Sequence, residues 1–136
     1  MSKTHVRVRA GAEQYALGVH DVLEVDELGA LTPVPGAPAA VLGVHNLRGH
    51  IVPVIDLAAV LATSAADPPA RVVVIERGES RAALAVDQVL GVERMPDPTE
   101  TVQSPHLAGA AIVDGTLVGF LDVDSILSTV TESVPR

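Results

Sequence analysis

His45 and His50 flank the sequence Asn46-Leu47-Arg48-Gly49, and two imidazoles on adjoining strands of a hairpin could share a metal ion. A zinc site wants three or four protein ligands, and the spacing supplies no third histidine or carboxylate, so two exposed polar residues beside a turn are the simpler account. Asp56 and Asp122 form the next pair with chemical capacity. Two carboxylates can divide general acid and base work, but each of these stands where an apolar strand gives way to a helix-forming run, and an aspartate there caps a helix. Ser64, Ser80, Ser104, Ser125 and Ser128 stand in no nucleophile-elbow pattern, and no phosphate-cradling glycine loop occurs. The chain shows no recognisable catalytic constellation. Arg48 is the residue that local structure explains least: a tight turn asks for Gly, Asn or Asp. An arginine there offers a fixed fork of donors to a partner's carboxylates or carbonyls, or to an acidic residue of the same chain.

The elements that position these residues are written twice. Leu42 to Leu61, LGVHNLRGHIVPVIDLAAVL, returns near the C-terminus as LAGAAIVDGTLVGFLDVDSIL. At one constant offset Gly43 falls on Gly109, Gly49 on Gly115, Val52 on Val118, Asp56 on Asp122 and Leu61 on Leu127. At an offset one residue longer, Ala16, Leu17, Val19, Val22, Leu23 and Val25 recur in ALAVDQVLGV from Ala83. The repeat covers roughly residues 5–62 and 71–130, joined by the loop 63–70, TSAADPPA. Arg48 does not recur; its counterpart is Asp114, ordinary turn chemistry.

Period-two alternation and turn signals place the strands. His5–Arg9 and Tyr15–Val19 form an opening hairpin, and Val22–Val25 a short strand or turn. Pro33, Pro35, Gly36 and Pro38 then break regular structure. Val41–Asn46 and His50–Asp56 make a second hairpin, followed by a short helix from Asp56 over LAAVLA. The second half opens with the β-branched run Arg71–Glu76, then Arg81–Val86 and Val89–Met95, and a second proline-rich passage at Pro96, Pro98 and Pro105. Ala110–Val113 and Thr116–Asp122 flank Asp114-Gly115, a pair that favours a type I′ hairpin turn, and Val123–Val130 reads as a second helix. Short strands at regular spacing argue for barrels or sandwiches rather than a parallel sheet. Two such sets imply two small β-barrels packed together, each with too little core to be secure alone.

Composition agrees. The 136 residues include one Phe, one Tyr and no Trp, so the core is aliphatic, and the absence of Cys excludes disulfides and thiolate chemistry. A formal net charge of −8 opposes attraction to nucleic acid or an anionic membrane. Neither a signal peptide nor a long apolar span is present, which reads as a soluble cytoplasmic protein.

GVHNLRGHIVPVIDL resembles the signature of the CheW-like family, approximately Gly-Val-x-Asn-Leu-Arg-Gly followed by an apolar strand and Pro-x-x-Asp-Leu. YALGVHDVLEV, PVPGAPAAVLG, RVVVIE, LAVDQVLGV and GFLDVDSIL match in order, so the resemblance spans essentially the whole chain as a single domain, 1–136. Departures are His45 before Asn46, Ala58-Ala59 where a basic residue is usual, and the scarcity of aromatics.

The resemblance implies a mostly β fold of two SH3-like five-stranded barrels with short helices. It implies a non-enzymatic adaptor, without cofactor or metal, that couples chemoreceptors to a CheA-type histidine kinase. The partners would be the regulatory domain of that kinase and the cytoplasmic tip of a methyl-accepting chemoreceptor, at membrane-associated arrays. With no room for a receiver or kinase domain, it would be a stand-alone coupling protein. Carried over residue by residue, the partner-binding positions are Val22, Glu24, Gly43, Arg48 and Gly49. The competing expectation, motivated by His45 and His50, is a small-ligand-binding or enzymatic β-barrel.

Overall fold

The computed structural model describes residues 3–63 and 68–133. Within the expected loop 63–70, positions 64–67, Ser64 among them, lie outside the described residues.

Among the described residues, ten strands and two helices follow the sequence pattern closely. They are β1 (Lys3–Ala10), β2 (Glu13–Gly18), β3 (Val22–Glu27), β4 (Val41–Leu47), β5 (His50–Asp56), α1 (Leu57–Val60), β6 (Arg71–Arg77), β7 (Ser80–Val86), β8 (Gln88–Met95), β9 (Leu107–Val113), β10 (Thr116–Leu121) and α2 (Val123–Ser133). A 3₁₀ turn, Val19–Asp21, joins β2 to β3.

The strands form two five-stranded sheets, one ordered β8-β1-β2-β10-β9 and the other β3-β6-β7-β5-β4. Under the sequence repeat, β1–β5 correspond to β6–β10, and the two orders are then the same. The opening hairpin of each repeat pairs with the last three strands of the other. The repeats therefore do not map onto the sheets one to one: they exchange hairpins reciprocally. The exchange also places one parallel ladder in each sheet, Val54 opposite Ala83 and, at the equivalent position, Phe120 opposite Ala16. Both sheets are otherwise antiparallel among the described pairings; a strand delivered from the other repeat is not bound by a local turn to run antiparallel.

Each crossover between sheets is held by a carboxylate. Asp21, 6% exposed, accepts from Arg77 Nε at 3.2 Å and Nη2 at 2.7 Å, and Arg77 also reaches Asp124 on α2 at 2.7 Å. Asp21 and then Asp124 hold the Arg77 guanidinium pKa above its ordinary value. At the other crossover Asp87 accepts from the Gly11 backbone N–H at 3.1 Å, with Arg9 at 3.5 Å.

Three apolar clusters result. The largest lies between the sheets and takes Val6, Val8 and Leu17 from one, Ile55, Val73 and Leu84 from the other, and Leu57, Ile126 and Leu127 from the helices. A second, with Leu47, Val52, Val54, Val72 and Val74, fills the inside of the β3–β7 sheet. A third, with Met95, Val118 and Phe120, fills the other. Strands β6 and β7 are buried on both faces, which is why RVVVIE and AALAV lack polar alternation. Each aliphatic side chain so buried contributes about 1.5–3 kcal/mol.

The two expected caps differ. Asp122 Oδ1 accepts from the Ser125 N–H at 3.1 Å, as an N-cap does. Asp56 occupies the N-cap position of α1 without a side-chain cap bond. Its N–H is drawn to the Ala40 carbonyl and its residue pairs with Ala85, so it remains the end of a strand, and the four-residue helix beyond offers little to cap.

Candidate functional site

Arg48 and Gly49 are the central residues of the β4–β5 turn, with φ of 51° and 88°. Asp114 and Gly115 take the same conformation in β9–β10, at 50° and 79°. Positive φ at both positions is what a type I′ turn requires. Aspartate adopts it readily, whereas for arginine the left-handed region costs about 1 kcal/mol. The Asn46 side-chain oxygen steadies the turn by accepting from the Gly49 N–H at 2.9 Å. A Cβ on Gly49 would meet nothing within 4 Å, so glycine is needed there for its backbone alone.

The turn aims the arginine across the open side of its sheet. Arg48 Nη2 lies 3.0 Å from Glu24 Oε2 on β3, so an ion pair spans the two edge strands that no backbone ladder joins among the described pairings. The arginine side chain is 82% exposed and the glutamate 19%, which leaves most of the guanidinium donors facing solvent. The expected internal acidic partner is present, and most of the guanidinium faces solvent.

Around this pair Leu23, Glu24, Leu47, Arg48, His50 and Arg81 line a cavity of about 300 Å³. Of the five positions expected to bind partners, Glu24, Arg48 and Gly49 come together here. Val22, next to them in sequence, turns inward, half-buried against the inter-sheet cluster and paired with Ile75. Gly43 is buried, with φ of 152°, and a Cβ there would come within 2.6 Å of the Thr32 carbonyl oxygen. That close approach lets Thr32 exchange two backbone hydrogen bonds with Val44, at 2.8 and 3.0 Å, so Gly43 shapes the approach to the hairpin from behind. Gly109 repeats the arrangement against Pro98 and Glu100.

Leu23, His50 and Arg81 were not read as partner-binding residues. Leu23 is 48% exposed because a bulge between Val22 and Glu24 makes it an extra residue on the strand, a break that alternation does not announce. Arg81 stands opposite Glu76 on the β6–β7 ladder and is ion-paired with it. His45 and His50, the metal candidates, sit opposite Val52 and Leu47. The His45 ring nitrogen Nδ1 lies 3.4 Å from the Ala30 carbonyl, while His50 joins the cavity. Among the described residues no group of three or more His, Asp or Glu could hold a metal ion.

The region combines exposed aliphatics, guanidinium donors that face solvent, and a strained turn in one of two otherwise equivalent hairpins. Known proteins resemble the chain along nearly its whole length. A family model described as the CheW-like domain matches residues 4–131. The chain is 30% identical over 131 residues to the chemotaxis protein CheW of Rhizobium meliloti, covering 89% of this chain and 84% of that one. It is 32% identical over 123 residues to the chemotaxis protein CheW of Thermotoga maritima, covering 85% and 82%. Its fold superposes on the crystal structure of the scaffolding protein TtCheW from Thermoanaerobacter tengcongensis with a TM-score of 0.80, at 27% identity and 90% coverage of each chain. The family model spans residues 4–131 and the two-sheet fold is shared with the scaffolding protein over 90% of each chain, and the chain belongs to the CheW-like family.

Proposed function

We propose that this chain is a non-enzymatic chemotaxis adaptor that couples chemoreceptors to a CheA-type histidine kinase, and that it engages its partners around the Glu24–Arg48 pair. One observation carries the placement. Arg48 holds a left-handed conformation that aspartate fills more comfortably in the sister hairpin, and its donors face solvent. Strain retained at an exposed position points to a role outside the fold itself. Glu24 fixes the direction of the fork, Gly49 permits the turn, and Gly43 and Val22 hold the two strands that carry them. The chemotaxis proteins and the scaffolding protein it is similar to support the adaptor reading.

Among the described residues no helix is long and apolar enough to cross a membrane. In this reading the protein is cytoplasmic and reaches the membrane through a receptor's cytoplasmic tip, while the kinase's regulatory domain binds it directly. Co-sedimentation with receptor-bearing membranes and the kinase of the same organism tests the proposal. The wild-type chain should pellet with them. Arg48→Glu should weaken pelleting by at least about tenfold while its melting temperature stays close to wild type. Failure of the wild type to pellet with any receptor or kinase of its organism would overturn the adaptor reading, and a large loss of stability in Arg48→Glu would make Arg48 a structural residue.

A further inference from the structure

Arg81 belongs to no part of the family signature, yet it lines the same cavity as Arg48. We infer that Arg81 is a second partner-contacting cation, and that it and Arg48 together hold a carboxylate presented by a helix of the receptor tip beside an apolar side chain. The inference rests on the adaptor reading above and deepens it.

Four observations converge. The cavity of about 300 Å³ brings two arginines and a histidine together with Glu24, and although Arg48 and Arg81 are each ion-paired, with Glu24 and Glu76, each guanidinium keeps N–H donors beyond those its pair engages. Its glutamate, Glu24, is already engaged by Arg48, so the unfilled capacity of the site is for an acceptor. A second cavity of about 450 Å³ shares His50 and Arg81 and is lined also by Ile51, 64% exposed, and by Glu76 and Glu79. Arg81 meets Glu76 through Nε and Nη2, leaving Nη1 for another acceptor, and its side chain is 29% exposed.

The occupant follows from shape and charge. A space of this volume accepts one or two side chains rather than a backbone strand, and Leu23 and Leu47 supply the apolar wall for one of them. A helix presents side chains three or four apart on one face, so a carboxylate and an aliphatic group one turn apart would enter together. Two guanidinium forks on rigid hairpins can orient such a carboxylate.

The test must separate this role from the cross-strand pair with Glu76. Binding of the full chain to receptor-bearing membranes is measured for wild type, Arg81→Gln, Arg81→Lys and Glu76→Gln, with melting temperatures alongside. Arg81→Gln should weaken binding about tenfold, Arg81→Lys less, and Glu76→Gln should bind as well as wild type, because it removes the pair but leaves the cation. A receptor glutamate exchanged for lysine should restore an Arg81→Glu variant. Equal losses in Arg81→Gln and Glu76→Gln, or none in Arg81→Gln while Arg48→Glu still fails, would overturn the role of Arg81 and leave the adaptor reading standing. Loss of kinase binding with receptor binding intact would overturn the helical occupant. Absence of wild-type binding would remove the adaptor reading itself.

Discussion

The two sheets share strand order, turn geometry and even their bulges, but they differ in what faces across the open edge. In the β3–β7 sheet Glu24 and Arg48 face each other at 3.0 Å; in the other the same two positions are Gly91 and Asp114. The sheets differ inside as well. Arg7, 8% exposed, bonds to Gln14 and Glu93, where the sister sheet has the buried aliphatic Val74. Identical topology with different polar placement separates two kinds of requirement. What recurs, the glycines at 43 and 109 and the apolar strands, belongs to the architecture; what occurs once, the Glu24–Arg48 pair and buried Arg7, distinguishes one sheet from the other.

The sharpest way to break the comparison is at the recurring glycines. Gly43→Ala drives a methyl into the Thr32 carbonyl, which is backbone, whereas Gly109→Ala meets the Pro98 side chain first, at 2.7 Å. Both should destabilise, Gly43→Ala by about 3 kcal/mol and Gly109→Ala by less, as read by denaturant unfolding. Equal losses would show that the two proline-rich passages are equally rigid.

The crossovers come next. Asp21→Asn leaves Arg77 facing a neutral amide at a buried position and should cost about 2 kcal/mol. Asp87→Asn, which keeps an acceptor for the Gly11 N–H, should cost about half that. A reversed order would place the weight of the exchange on the other crossover.

Smaller still is the exchange of turn residues between sheets. Arg48→Asp imports the sister turn: relief of the left-handed arginine offsets the lost exposed ion pair, and stability should change by no more than about 0.5 kcal/mol. The end of α1 offers a similar test of backbone alone. Ala62, with φ of 55°, sits where the Thr63 N–H bonds to the Ala58 carbonyl and its own N–H to Ala59, a Schellman arrangement that prefers glycine. Ala62→Gly should stabilise by about 0.5–1 kcal/mol.

The last and smallest effect is alkaline. Burial, and then the Glu13 carboxylate, push the Tyr15 phenol pKa upward, against a hydrogen bond with Thr63 that lowers it. The unfolded chain therefore loses that proton first. Stability should be unaffected below about pH 10 and decline above it, and Tyr15→Phe should flatten that decline.

Much of this was legible in the residues. The hairpins, both helices, the aliphatic core and the position of Arg48 in an unusual turn follow from alternation, turn chemistry and comparison of the repeats. The exchange of hairpins was not, because the two opening hairpins carry the same apolar pattern and either would satisfy either set of three strands locally. The choice is made by contacts remote in sequence, such as Asp21 with Arg77 and Asp87 with Gly11. Leu23 was missed because a bulge reverses the face expected of it, and Arg81 because a cross-strand charge beside Glu76 looks like ordinary sheet pairing.

The exchanged hairpins also set an order of events for the chain as it is made. Strand β2 finds its parallel neighbour only in β10, where Gln14 pairs with Val118, and β5 waits for β7. Synthesis from the N-terminus thus produces five strands that cannot complete either sheet, and the sheet holding β1 and β2 stays unfinished until β10, the last of the described strands, has emerged. Folding one repeat ahead of the other is closed to this topology, and so many distant pairings make for a slow search. During that interval the unpaired edges and aliphatic faces are exposed to other chains, so newly made protein should be most prone to aggregation before β10 is available.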